Sequence, residues 1–317
     1  AEHVAFMQET TTGKHIVLVD GRTRASRTIT SGDEWHLYPA LSTDGRRVAY
    51  AQGPAADQLG IVIQDLATGV VTSVVAAGGM HLHPTFSGDG RTLAFSGPLG
   101  AAGEQRIGLM VENAGRFGAL RVMPSTGPAY FPALSSDGSF LVYQESRSRT
   151  EKQLFKIDFL VENPAPVALT SGSEPAMAPS LSFDDRWVAY TSLKQGNWDI
   201  YVQDLRTGTL HRVTEDAGHD YAPSFTSEGD LLFSSDRTGS FQLYRLHAPA
   251  AGWGSAEPRV EPAYQGEGDL YAPTSSGELA YASEQRASIP GAARSSFGAV
   301  EHQGRLYLVG GHQGQEH

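Results

Sequence analysis

Six prolines recur along the chain at nearly even intervals. They are Pro39, Pro84, Pro132, Pro179, Pro223 and Pro273, separated by 45, 48, 47, 44 and 50 residues. Five of them open variants of one phrase: PALSTDGRRVAY, PTFSGDGRTLAF, PALSSDGSFLVY, PSLSFDDRWVAY and PSFTSEGDLLFS. The sixth copy, PTSSGELAYAS, is degenerate. Each part of the phrase has a physical use. Proline lacks an N–H and opens a strand where no ladder bond is lost. The acidic residue and glycine close a tight hairpin, the glycine taking the positive φ that the turn demands. The triplet that follows, Val-Ala-Tyr or Leu-Ala-Phe, reads as a buried strand. A second hairpin follows in most units, clearest in residues 61–69 (IVIQDLATG), 200–208 (IYVQDLRTG) and 242–246 (QLYRL). Four short antiparallel strands cannot bury both faces alone, so such units must stack on one another. No long segment keeps the helical spacing of apolar residues. The pattern predicts an all-β protein, a β-propeller of four-stranded antiparallel blades.

The combined pattern is Pro-x-x-Ser-x-Asp-Gly-x-x-(Val/Leu)-Ala-(Tyr/Phe), then (Ile/Leu)-Tyr-Val-x-Asp-Leu-x-Thr-Gly. With the stretch SSDRTGSFQLY at 234–244, it resembles the TolB-type or PD40 propeller repeat over residues 34–284. The resemblance implies six blades and a bacterial envelope setting, where such propellers dock other proteins through the channel mouth. Counting along this chain favours seven blades over six. Residues 1–33 read as outer strands that lack an inner proline strand. Residues 285–317 contain a segment, 295–311, that resembles a kelch hairpin ending in Gly-Gly. That segment could complete the sixth unit, begin a second, kelch-type propeller, or close the N-terminal blade, which gives seven blades and makes residues 1–317 one domain.

Composition narrows the function classes. The chain has no cysteine, which excludes a disulfide framework, a thiolate metal site and a cysteine nucleophile. Its net charge is −11, with 24 Lys and Arg against 35 Asp and Glu and no basic run, which argues against nucleic-acid binding. No apolar run is long enough to span a membrane as a helix. The missing cysteine and the start at Ala1 rather than methionine fit a periplasmic or secreted protein.

In a propeller, the segments entering the innermost strands converge on one mouth of the central channel. Here they carry Trp35, His36, His81, His83, Tyr130, Phe131, His219, Asp220, Tyr221, Asp269 and Tyr271. His81 and His83 are two apart, so an extended strand would point both to one face. Joined by His36 and His219, with Asp220 or Asp269, they are candidates for a transition-metal site; calcium on channel carboxylates or carbonyls is the other metal to consider. The plainer reading is a polar and aromatic lining hydrogen-bonded to loop backbone and water. Asp44, Asp89, Asp137, Asp184, Glu228, Asp65 and Asp204 read as turn formers rather than acids of catalysis. Trp253, in a long outer loop, is expected to pack across a blade edge. No catalytic residue and no cofactor are assigned. The leading expectation is a monomeric binding or scaffold disc that holds a protein, peptide or glycan at the channel mouth. The alternatives are a metal-dependent lyase or hydrolase using those histidines, and a recognition module of a larger protein.

Overall fold

The computed structural model describes residues 3–275, apart from positions 11, 12, 22, 149, 160, 251, 256–258 and 267, together with strands Ala299–His302 and Arg305–Leu308. Six antiparallel sheets ring one axis. Blade 1 runs outward from the axis through Trp35–Leu41, Arg47–Gly53, Leu59–Asp65 and Val71–Gly79. Blades 2 to 5 repeat it, with innermost strands Leu82–Phe86, Ala129–Leu134, Ala176–Leu181 and Asp220–Phe225. Blade 2 differs at its rim, where Arg116–Phe117 and Arg121–Val122 split the outer strand between them.

Blade 6 is where the two halves of the chain meet. Its innermost strand is Asp269–Ser275, and its other three are His3–Thr10, Gly13–Asp20 and Ser26–Thr28, from the other end of the sequence. Each innermost strand packs against those of both neighbours, blade 6 against blade 1 included, so the ring closes. This corrects the seven-blade count. The degenerate sixth copy is not a separate blade: Asp269–Ser275 is the inner strand that residues 1–33 lacked. Of the kelch-like segment, the described strands Ala299–His302 and Arg305–Leu308 pair with one another as a two-stranded hairpin. The remainder of 285–317 lies outside the described residues.

The repeated serine and aspartate build the first hairpin of each unit. In blade 1 the Ser42 hydroxyl donates to Asp44 Oδ1 at 2.7 Å, and Arg46 N donates to the same oxygen at 3.0 Å. Arg47 N donates back to Ser42 Oγ at 2.9 Å. Ser87, Ser135 and Ser182 do the same with Asp89, Asp137 and Asp184. Asp65 and Asp204 cap the second hairpin by accepting from the backbone N–H groups two and three residues on. These aspartates are turn formers, as expected, whereas Glu228, at the matching place in blade 5, accepts from Arg245 Nη2.

One local feature positions the channel. The residue just before each proline is left-handed: Tyr38, His83, Phe131, Ala178, Ala222 and Ala272 have φ of 56, 54, 55, 53, 52 and 48°. Proline disfavours the right-handed helical region for its predecessor. Here that predecessor is the extra residue of a β-bulge, and the ladder slips at the same place in all six blades. None of the six is a glycine, so each blade carries backbone strain that the surrounding ring must hold in place.

Candidate functional site

The bulge decides which side chains reach the axis. Those immediately before the prolines do, and they stopper the channel. His83 lies 4.4 Å from Tyr38 and 3.8 Å from Phe131 between ring centroids, a three-ring stack drawn from blades 1 to 3. Ala178, Ala222 and Ala272 complete the circle in the same apolar cluster, and no member of the six is more than 7 % exposed. His83 is held from behind. The Ser96 hydroxyl donates to the Leu82 carbonyl at 3.1 Å, so His83 donates from Nδ1 to Ser96 Oγ at 2.8 Å. Its Nε2 then keeps a lone pair that is buried and without a partner. Burial pushes the imidazole pKa well below its ordinary value, so the ring is neutral.

The two histidines three before their proline face the preceding blade instead, while Asp220 pairs within its own blade. His36 donates from Nδ1 to the Lys14 carbonyl at 3.3 Å and stacks on His15 at 5.7 Å, both on blade 6. His81 Nδ1 meets the Leu59 carbonyl of blade 1 at 2.9 Å. The Asp220 carboxylate accepts from Arg237 Nη2 at 3.0 and 3.2 Å and is fully buried at 0 %. His81 and His83 therefore part company. A left-handed residue breaks the two-residue alternation on which their shared face depended. His219 is held apart again, its Nδ1 2.7 Å from Asn197 Oδ1 of blade 4. The four candidate histidines thus belong to four separate surroundings. Among the described residues no three His, Asp or Glu side chains are grouped to hold a metal ion.

Above the stopper, the face where the innermost strands begin is apolar and aromatic. Trp35, Leu99, Tyr130, Leu193 and Phe241 are half-buried against the channel cluster, one from each of five successive blades. On blades 4 to 6 the rings form an arc. Trp198 and Tyr221 lie 5.7 Å apart, Tyr221 and Phe241 5.7 Å, Phe241 and Tyr271 5.0 Å. Asp269 accepts from Phe241 N at 2.9 Å and so fixes that loop.

At the seam of blades 6 and 1, sequence reasoning missed a charged group. Lys14 Nζ lies 3.5 Å from Glu9 Oε1 and 4.2 Å from the centre of the Trp35 ring. Burial lowers the lysine pKa and raises that of Glu9, whose Oε2 is buried and unpartnered. Burial also raises Tyr38 and Tyr271, and the Glu9 charge adds to both. Neither Glu9 nor Lys14 falls in a proline window, so the repeat could not flag them. Their signal was the position of the first N-terminal hairpin, which the closed ring turns toward the mouth.

The profile of the TolB β-propeller domain, PD40, matches residues 2–170 and 162–252. Over 63 residues the chain is 33 % identical to the Tol-Pal system protein TolB of Francisella tularensis subsp. mediasiatica, a stretch covering 20 % of this chain and 14 % of that relative. The crystal structure of TolB from Acinetobacter baumannii superposes with a TM-score of 0.71 at 21 % identity, covering 87 % of this chain and 67 % of that one. That of a putative TolB from Agrobacterium tumefaciens gives 0.64 at 20 % identity, covering 83 % and 89 %. At such identities these two structures speak for the fold. Matched by the profile over most of its length, the chain belongs to the TolB β-propeller family.

Proposed function

We propose that this chain is a recognition disc of the bacterial envelope, acting as a monomer, that holds a segment of a protein partner on the face where the innermost strands begin. The observation that carries this reading is the pairing of a stoppered channel with a rim of half-buried apolar side chains, one each from blades 1 to 5. Such a floor offers broad contact area and little depth, which suits a polypeptide laid across it better than a small molecule enclosed within it. Aromatic residues supply large contact area at low entropic cost. Lys14, Glu9 and Asp269 add fixed charges at one side of the rim and would orient the bound segment. The family and a chain without cysteine support the envelope setting.

The test is site-specific photo-crosslinking in envelope extract. A photoreactive phenylalanine analogue at Tyr130 should give a discrete protein adduct, and the same analogue at Val167, on the outer edge of blade 3, should not. Trp35→Ala combined with Phe241→Ala should abolish the adduct while leaving the melting curve cooperative. Adducts that form from position 167 alone, or that survive the double substitution, would refute the assignment of this face.

A further inference from the structure

The seam between blades 4 and 5 and that between blades 6 and 1 are built to one register. Ile200 N donates to Thr214 Oγ1 at 2.9 Å, and Ile16 N donates to Thr30 Oγ1 at 2.9 Å. Val202 pairs with His211 in the first seam, and Leu18 pairs with Arg27 in the second. Arg27 thus stands where His211 stands.

What covers these two positions differs. In blade 5 the connection between the third and fourth strands brings Trp253 over the seam. The indole is 8 % exposed and meets the Phe225 ring edge-on at 6.2 Å. The same loop lies so close to blade 4 that a Cβ on Gly254 would sit 2.2 Å from the His211 ring. In blade 1 the corresponding connection is a tight turn, closed by Gly69 N donating to the Asp65 carbonyl at 2.8 Å. It has no residue to send across. An open cleft of about 570 Å³ remains, with Leu18 and Leu66 on its walls, Ala67 at its lip, and Arg27, Arg46 and His3 around it.

The two arginines are exposed and only lightly engaged. Arg27 donates to the Leu66 carbonyl at 3.3 Å, and neither Arg27 nor Arg46 makes an ion pair among the described residues. The acidic groups nearby are tied to their own turns, Asp20 Oδ1 accepting from Thr23 N at 2.7 Å and Asp65 Oδ1 from Thr68 N at 2.7 Å, and Asp65 also feels the Arg46 charge. In a chain of net charge −11, two exposed guanidinium groups beside one ring-sized cleft offset the nearby Asp20 and Asp65 carboxylates and leave N–H donors for an anion.

We propose that this cleft binds a small anion carried on a flat apolar body, an aryl carboxylate or aryl phosphate. The ring would lie against Leu18 and Leu66, in the place that Trp253 occupies at the other seam. The anion would take charge-assisted hydrogen bonds from Arg27 and Arg46. Its volume falls in the range of small-molecule sites. The site is on a different part of the disc from the apolar rim and stands or falls independently of it.

Saturation-transfer NMR on the intact chain tests this, with phenyl phosphate and benzoate as probes, benzylammonium as a control, and inorganic phosphate as a competitor whose affinity is read by its displacement of phenyl phosphate. A probe of this size should bind with a Kd on the order of 1 mM. Signal from either aryl anion, at least about fivefold weaker in Arg27→Gln/Arg46→Gln, supports the site, and which anion binds better tells carboxylate from phosphate. Both arginines are exposed, so that variant keeps its fold. Ala67→Trp, which supplies the missing indole, should abolish the signal. Absence of transfer from both aryl anions overturns the proposal. So does equal binding of benzylammonium, inorganic phosphate binding as tightly as phenyl phosphate, or a signal undiminished in the arginine variant.

Discussion

Replacing Asp220 with asparagine should remove a specific part of the pH dependence of stability. The carboxyl group is 0 % exposed, and burial pushes its pKa from 3.8 up to about 6, against the pull of Ser235, Arg237 and Thr214. Arg237 fails to hold it down because its Nη2 also serves Asp216 at 2.6 Å, and Asp216 adds a like charge. In the unfolded chain the group releases its proton near 3.8, whereas the folded chain keeps it until about 6. Its contribution to stability is therefore complete below pH 3.8 and is lost as pH rises through about 6. A displacement from 3.8 to about 6 corresponds to roughly 3 kcal/mol. Asparagine does not titrate. The unfolding free energy of Asp220→Asn minus that of the parent should thus rise by roughly 3 kcal/mol between about pH 3.5 and pH 7. Urea unfolding followed by tryptophan fluorescence measures that difference, and subtraction removes the shared titration of every other group. A difference that does not change with pH would sink the reasoning. One that falls as pH rises would mean that Arg237 outweighs burial.

Three further outcomes follow from particular contacts. His83, whose folded pKa lies well below 6.5, should show no imidazole titration by NMR between about pH 7.5 and pH 5.5; its contribution to stability is full above the unfolded value of 6.5 and is lost as pH falls below it. Gly60→Ala should cost roughly 3 kcal/mol in denaturant unfolding, because a Cβ there would sit 2.4 Å from the Val75 carbonyl oxygen and 2.7 Å from Ala77 N, both backbone; a loss below about 1 kcal/mol would mean that the blade rim gives way easily. Ala222→Gly should cost less than about 0.5 kcal/mol despite the lost methyl, since φ is 52° and glycine takes the left-handed region freely; a loss above about 1.5 kcal/mol would deny that this backbone is strained.

The repeat made five innermost strands legible because its chemistry is local. Proline, serine and the acidic residue act within six positions of one another, and the hydrogen bonds from Ser42 to Asp44 and from Arg47 to Ser42 need no other blade. Blade number was a different matter. It depends on pairings such as Glu9 with Asp269, which join opposite ends of the sequence and leave no local mark. The candidate site was legible as a set of positions but not as a set of directions. All six windows converge on one face, yet the left-handed residue before each proline turns His83 to the axis and leaves His81 against Leu59. Strand alternation could not foresee that, and the partners that decide each environment, Lys14 for His36 and Arg237 for Asp220, come from other strands.

The two levels of the channel compensate for one another. Just before the prolines, blades 1 to 3 supply Tyr38, His83 and Phe131 while blades 4 to 6 supply three alanines. One residue earlier the bulk changes sides. Blades 1 to 3 give Leu37, Leu82 and Tyr130, and blades 4 to 6 give Met177, Tyr221 and Tyr271, backed by Trp198 and Phe241. A channel lined by large rings at both levels in all six blades would be overpacked, and one lined by small residues would stand open. Staggering the rings fills it along a slant. The proposed recognition face inherits that slant: an aromatic arc on one half, and on the other the Trp35 ring with Lys14 and Glu9 beside it. A segment bound there would meet apolar surface at one end and fixed charge at the other, and a ring of near-identical blades would in that way impose a single orientation on a partner.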